Sequence, residues 1–566
     1  MRARSGGGGS HTGAASLGVV LALALLAAAC GEGASTGAGA GRTSVGTTRP
    51  ASPPPNLNGA WTTYHGDNTR SGVDQSGAQL TPPHQAWVSP TLDGKVYASP
   101  LVWKGLVIVA TENDTVYALN ADDGTVVWSA HVGSAVPQSR LPCGDIDPLG
   151  ITATPVVDPA TGRIFVVAET GGTGSPVSHV LVALDSGTGQ VVFQESADPS
   201  GMNAVAQQER GALAIANGRV YVPFGGLYGD CGSYHGWVVG ASTSGPGALI
   251  SYQVPTQNEG AIWAPPGMSI DSAGNVWVAT GNGSSTSTYD HGNSVIKLSP
   301  TLSELDSFAP TNWASDNSSD ADLGSTAPML VGNLVFEVGK ESTGYLLNAG
   351  HLGGVGGQVF SANLCFTIGG DAMNGSDVYV PCRGGLKDVR VTANPPSFQV
   401  AWTAPSAVTG SPVVAGGLVW AVGGSSLYGL NPSSGTIAQQ VNLPSSPASY
   451  STPAVGDGLL VVGTNTTVTA LAGPGGVGAG AGAGAGPATN TAYWLAGADG
   501  GVFTFGRAAY HGSAAGLPLR APVVAMAGTP DGGGYWLAAR DGGVFNYGDA
   551  VFRGSAGALP LRAPIV

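Results

Sequence analysis

The sequence predicts an all-β chain: an eight-bladed β-propeller over residues 58–472, then a short β-repeat tail. Three observations carry that expectation. A pattern of short apolar runs recurs eight times between Trp61 and Leu471. The runs are β-branched and aromatic and are bounded by Gly, Asp and Asn, the composition of strands joined by tight turns. Gly is abundant, at 92 residues, and charged residues make up only 10%, against about 25% in an average soluble domain.

Residues 1–30 read as an export signal. Arg2 and Arg4 supply a positive start, and an apolar run follows from Ala14 to Ala29. That run is short for a membrane-spanning helix. It ends in Ala27-Ala28-Ala29-Cys30, small residues before a cysteine, which resembles a bacterial lipobox with Cys30 as the lipidated residue. The alternative is a plainly cleaved signal peptide with Cys30 incidental. Residues 31–57 are rich in Gly, Ser, Thr and Pro and form a tether that cannot bury a core.

The first clear repeat runs through Ser99-Pro100-Leu101-Val102, Leu106-Val107-Ile108-Val109-Ala110, Thr115-Val116-Tyr117-Ala118-Leu119-Asn120 and Asp123-Gly124-Thr125-Val126-Val127-Trp128. The second starts at Thr154-Pro155. Others centre on Val220-Tyr221, Val276-Trp277, Val335-Phe336 and Val378-Tyr379, and the last two begin at Ser411-Pro412 and Thr452-Pro453. A unit of about four strands cannot bury both faces alone, whereas units stacked radially can, which gives a propeller. The Asp-Gly and Thr-Gly turns fall where hairpins need positive φ. A terminal Trp such as Trp128 is expected to pack between neighbouring blades.

Residues 473–490 are a Gly/Ala-rich linker. Residues 491–566 then hold two copies of a different repeat. Tyr493-Trp494-Leu495-Ala496 recurs at Tyr535, and Asp499-Gly-Gly-Val-Phe503 recurs at Asp541, a period of 535 − 493 = 42. About three such units are usually needed to bury a core, so a truncated array is one expectation and packing on the propeller or on a partner another.

The net charge of −14, with no basic patch, argues against nucleic acid, whose phosphates need neutralising cations. No Ser/His/Asp triad, phosphate-binding Gly loop or zinc-type Cys/His cluster is legible. Setting Cys30 aside leaves Cys143, Cys231, Cys365 and Cys382, an even number that favours disulfides in an exported protein. Cys365 and Cys382 flank a hairpin pattern, which pairs them. Cys143 with Cys231 follows by elimination.

Val116-Tyr117-Ala118-Leu119-Asn120, with Asp123-Gly124 and Trp128, resembles the signature of the pyrroloquinoline quinone (PQQ) repeat. The opening Trp61-Thr-Thr-Tyr-His65-Gly66-Asp67-Asn68, with Arg70 and Gly72, resembles a segment of the same quinoprotein alcohol dehydrogenase-like family, as do the stretches around Cys143 and Cys231. The family fold is an eight-bladed propeller. The resemblance also implies a PQQ site on calcium. Trp263 would be the floor under the cofactor, and Asn282 a calcium ligand with Asp230 substituting for the family's Glu. Asp322 would be the general base and Lys340 the quinone contact. Calcium wants hard oxygen ligands, and a carboxylate base takes an alcohol proton as hydride leaves. Two positions depart from the family. The adjacent-cysteine roof aligns with Cys143-Gly144, and the calcium Glu aligns near Cys231. The bland alternative makes Trp263 a packing residue, Asn282 a turn cap, Asp322 a loop holder and Lys340 a surface ion-pair partner.

The expectation is therefore an exported, lipid-anchored propeller that binds or scaffolds a protein or polysaccharide partner, with a degenerate PQQ site. The competing expectation is a divergent PQQ- and calcium-dependent alcohol or sugar dehydrogenase.

Overall fold

The computed structural model describes residues 59–172, 174–474, 493–505, 508–529, 533–557 and 559–565. The export signal, Cys30, the tether and most of the Gly/Ala-rich linker lie outside the described residues. Strands dominate, and the one α-helix among the described residues is Trp313–Ser318.

Between residues 84 and 472 the strands form eight four- or five-stranded sheets, here numbered 1 to 8 in chain order, in a β-propeller fold; the pairing is antiparallel except for Glu304–Ala309 with Gly354–Val355 in sheet 4. Sheet 1 is typical: Leu101–Trp103, Leu106–Thr111, Thr115–Asn120 and Val126–His131. Its first two strands are almost wholly buried, whereas the fourth alternates between half-buried and exposed residues. Sheets 2 and 7 show the same gradient in Val191–Ser196 and Ile437–Asn442. Inner strands are covered on both faces by neighbouring sheets and so read as continuous apolar runs, while an outer strand is half-solvated and reads as an alternation.

The tryptophans do what the repeat implies. Trp128, on the outer strand of sheet 1, donates its indole N–H to the Ser186 carbonyl of sheet 2, at 3.0 Å. Trp402 of sheet 6 donates to Pro432 of sheet 7, at 2.8 Å. Each ring lies on the turn glycine of the next sheet, Gly189 and Gly435, whose φ angles are 71° and 68°. Trp87 repeats the arrangement against Ala121 and Gly124 of sheet 1. Its strand, His84–Val88, pairs with Thr467–Ala472 and so supplies the fourth strand of sheet 8. The first strand of the chain thus completes the last sheet and docks on the first.

The segment just before it, residues 59–74, threads across the inner strands. Trp61 bridges Val102 of sheet 1, and the Thr62 carbonyl accepts from Val157 of sheet 2. Asn68 accepts from Ile270 of sheet 4, Ser71 from Met373 of sheet 6 and Gly72 from Val414 of sheet 7. Gly59 accepts from Asp457 of sheet 8, and the Tyr64 hydroxyl lies 3.0 Å from the Thr452 hydroxyl beside that sheet. Arg70 is buried and forms no ion pair among the described residues. Its guanidinium spends its donors on the Met268 and Leu213 carbonyls, the Tyr64 carbonyl and the Thr63 hydroxyl. A buried arginine is tolerable only when its donors are met in this way. Asn68 also donates its side-chain amide to the Ile215 carbonyl of sheet 3, so residues 59–74 are a plug stitched to seven of the eight sheets.

In the tail, Tyr493–Ala496 pairs with Val502–Phe505, and Val523–Gly528, Gly534–Ala539 and Val544–Gly548 form a three-stranded sheet. Trp494 and Trp536 each donate to the carbonyl 15 residues on, Ala509 and Val551. The 42-residue sequence period is thus also a structural period.

Candidate functional site

Antiparallel strands bring two kinds of connection to one end of each sheet: the loop into the inner strand and the turn between the second and third strands. A cavity of about 310 Å³ opens there. The inner-strand loops give it Arg210 (sheet 3), Trp263 (sheet 4), Asp320 and Asp322 (sheet 5), Ile368 (sheet 6) and Tyr450 (sheet 8). The turns give it Tyr228, Asp230 and Tyr234 from sheet 3, Asn282 from sheet 4 and Lys340 from sheet 5. A smaller hollow lined by Tyr64 of the plug, Arg210 and Tyr450 lies beside it. All five residues singled out by the resemblance, Trp263, Asn282, Asp322, Lys340 and Asp230, line this cavity.

Four of the five are knitted together. Asp322 Oδ2 lies 2.6 Å from Lys340 Nζ, and Asp322 Oδ1 accepts the Asn282 backbone N–H at 2.7 Å. Lys340 also reaches Asp320, at 2.9 Å, and its ammonium sits 5.3 Å from the centre of the Trp263 ring. Burial pushes the Asp322 carboxyl up, against the opposing pull of the Lys340 ammonium and the Asn282 N–H. Burial disfavours the Lys340 ammonium, but Asp322 and Asp320 outweigh it and leave its pKa raised. Asp230 stands apart, accepting from the Tyr234 hydroxyl at 2.6 Å. Burial, with Asp230 beside it, pushes the Tyr234 phenol up, which keeps it a donor.

The cysteines form two disulfides, Cys143–Cys231 and Cys365–Cys382, with Cα atoms 6.0 Å and 5.7 Å apart. The first ties the connection between sheets 1 and 2 to the turn that carries Asp230.

Calcium does not fit the residues present. It takes about six to eight oxygen ligands. The Asn282 side-chain oxygen is buried and has no partner, as a ligand would be. Of the carboxylates at its loop, Asp322 is already paired with Lys340, Asp290 accepts the Gln257 N–H, and Glu304 is bonded to His291 and Tyr252. Asp230 is engaged by Tyr234, and among the described residues no three His, Cys, Asp or Glu side chains converge as a metal set would. Trp263 does offer a ring on which a flat molecule can lie. The arrangement can therefore hold a planar ligand over an internal ion pair, without the metal that polarises a quinone.

Sequence reasoning passed over Arg210 and Tyr450. Arg210 lies 5.8 Å from the Trp263 ring centre and 4.9 Å from that of Tyr450. Their signal is positional: both stand just ahead of an inner strand, as Trp263 and Asp322 do.

Residues 83–300 match the family model described as outer membrane protein assembly factor BamB. Among solved structures, the quinohemoprotein alcohol dehydrogenase of Comamonas testosteroni aligns at 15% identity, over 78% of this chain and 83% of that one, with a TM-score of 0.56. The quinohemoprotein alcohol dehydrogenase ADHIIG of Pseudomonas putida HK5 aligns at 14% identity over the same shares, with a TM-score of 0.57. These comparisons support a PQQ-like repeat family. A europium-containing methanol dehydrogenase aligns at 15% identity, over 72% of this chain and 90% of that one, with a TM-score of 0.53. At such identities the likeness concerns the PQQ-like propeller fold alone. No curated protein matches the chain closely enough to count as a relative. Among the described residues, no helix is long and apolar enough to cross a membrane.

Proposed function

We propose that this chain is an exported, lipid-anchored binding or scaffold protein, its eight sheets being the eight blades of one ring, and that its cavity is a degenerate PQQ site without dehydrogenase chemistry. One observation carries the reading: the carboxylate that would act as base, Asp322, is paired at 2.6 Å with Lys340, and among the described residues no three His, Cys, Asp or Glu side chains are grouped to hold a metal. Trp263, Asn282 and Asp322 then belong to a pocket that recognises rather than oxidises. Cys30 is the anchor in this reading, with the membrane as one partner and a protein or polysaccharide as the other.

The test is a thermal-shift titration of the purified protein with PQQ and calcium chloride, together with alcohol- and sugar-dependent dye reduction. The expected result is no calcium-dependent shift and no turnover. A ligand at 100 times its Kd stabilises by about 2.7 kcal/mol, so bound cofactor would be seen. The competing reading, a divergent quinoprotein dehydrogenase, is favoured by the convergence of Trp263, Asn282, Asp322 and Lys340 on one cavity. It requires dye reduction that Asp322→Asn abolishes. For the anchor, Cys30→Ala should release the protein from the membrane fraction, and a variant that stays there would refute lipidation at Cys30.

A further inference from the structure

The two 42-residue repeats of the tail are built alike but are not covered alike. Trp494 and Trp536 make the same hydrogen bond. The Ala514 N–H donates to Gly500 and that of Ala556 to Gly542, at 2.9 and 2.8 Å. The Val523 N–H donates to Ala498 and that of Ile565 to Arg540, both at 3.0 Å. Alternation along a strand gives each sheet two faces. In the second repeat Tyr535 and Leu537 share one face and are fully buried. They pack against Trp494, Ala496 and Val502, which share a face of the first repeat. The Tyr535 hydroxyl donates to the Gly512 carbonyl and accepts the His511 N–H. Tyr547 lies so close to Gly512 that a methyl group there would fall 2.5 Å from its ring. The tail thus contains one junction between repeats, the Leu537 face of one unit on the Trp494 face of the other.

Both halves of that junction recur uncovered. Leu495 and Phe503 pair across their strands and occupy the positions of Leu537 and Phe545. Leu537 is buried and Phe545 half-buried, but Leu495 is 52% and Phe503 60% exposed. On the other side, Val523 is buried beneath the second repeat, whereas its counterpart Ile565 is 38% exposed. Leu519 packs into the junction, whereas its counterpart Leu561 is exposed. Gly554 has open space where Gly512 meets Tyr547. Each pair shares its sequence position and its local hydrogen bonding, so the difference in exposure reflects the neighbour that one member has and the other lacks among the described residues.

We infer that the tail joins copies of this chain head to tail. The Leu495–Phe503 face of one copy seats on the Trp536–Leu561 face of a second and repeats the internal junction between chains. Scattered exposed apolar side chains are ordinary on a protein surface. Here the exposed face has a complement, already seen inside the tail and carried by the same chain. Each copy carries each half once, so the contact is heterologous and passes on to a third copy unless the rotation closes a ring. It also brings the stacked repeats to the number of about three that such units need to bury a core. The cavity plays no part in it.

The test is sedimentation velocity of the full chain carrying Cys30→Ala, so that a lipid plays no part, over a series of concentrations. The mean sedimentation coefficient of this parent should climb with concentration. Phe503→Asp blocks one half of the contact and Leu561→Asp the other. Both side chains are exposed, so each variant should keep the parent's thermal midpoint. Leu495→Asp and Ile565→Asp, on the same two faces, replace either one that misfolds. An unpaired charge in an apolar contact should weaken association at least about 10-fold, so each variant alone stays monomeric where the parent assembles. Mixed together, the two variants still offer one intact pair of faces and should form a one-to-one complex that grows no further. A parent that is monomeric at every concentration, association indifferent to either block, or a mixture that stays monomeric would overturn the inference.

Discussion

The junctions between sheets 8 and 1, 1 and 2, and 6 and 7 are built alike, whereas sheets 3 to 5 depart from the pattern. At the regular junctions a tryptophan covers a turn glycine and donates to a turn carbonyl. In the irregular sector, sheet 3 gains Gln207–Gln208, sheet 4 gains a parallel strand at Gly354–Val355, and the helix Trp313–Ser318 intervenes before sheet 5. There Tyr252 on the outer strand of sheet 3 bonds Glu304 rather than capping a glycine. Most of the cavity comes from that sector. Regular repeats hold the ring, and departures from the repeat build the site, as expected where local rules yield to function.

The largest effect should come from the crosslink that reaches the irregular sector. Replacing Cys143 and Cys231 together by Ser removes a bridge of sequence separation 88, worth about 4–5 kcal/mol by loop entropy. The Cys365–Cys382 pair, of separation 17, should cost about 3 kcal/mol. Equal thermal midpoints for the two double variants would contradict that order. Next comes a regular junction. At Gly189 a methyl group would fall 2.5 Å from the Trp128 ring at a φ of 71°, so Gly189→Ala should cost about 2–5 kcal/mol through backbone strain and overpacking. Chemical denaturation measures it, and a loss below 1 kcal/mol would show that the docking is not needed. In the cavity, Asp322→Asn keeps an acceptor for the Asn282 N–H but leaves Lys340 only the exposed Asp320. The expected loss is about 1–3 kcal/mol, and an unchanged unfolding midpoint would deny the pair a structural role.

The smallest effect is a pH trend. Burial raises Glu112 and Asp114 to about 8 and Glu341 to about 9. A carboxyl raised on folding contributes stability below its ordinary pKa of about 4.3 and loses it as pH climbs through the folded value. His179 works in the same direction. Burial opposes its protonation, but Glu169 and Asp198 outweigh that and raise it to about 10, so its contribution also fades with rising pH. Asp93, Asp271 and Glu304 are lowered by hydrogen bonds despite burial and lose their contribution as pH falls below the usual carboxylate range. The thermal midpoint should therefore peak near pH 5 and drop by several degrees toward pH 9. A midpoint that rises over that interval would mean these acids are solvated or paired.

Much of the scaffold was legible because its signals are local. Apolar runs such as Leu106–Ala110 and Asp-Gly turns such as Asp123-Gly124 fix strands and hairpins within a few residues. Trp263, Asn282, Asp322 and Lys340 could be singled out by family order, and the fold brings them to one cavity. The Asp322–Lys340 pairing was not legible: Lys340 could be read only as a partner for an unnamed surface carboxylate, because charge partners across loops leave no local trace. Arg210 was illegible for a related reason: its meaning comes from Tyr450, 240 residues away, which the ring brings beside it. The role of residues 59–74 was likewise hidden, since their partners are spread from Val102 to Asp457.

That plug also constrains how the chain can reach its native state. Tyr64 meets Thr452 across a sequence separation of 388, and Trp87 sits on a strand paired with Thr467–Ala472. Contacts of such separation come at the end of folding, because loop closure must precede any return from them. During synthesis residues 59–88 have only part of their binding surface until sheet 8 emerges. A segment carrying Trp61 and Trp87 that waits for its partners is exposed to misassembly, so the clasp that secures the fold is also a point where synthesis leaves apolar surface open.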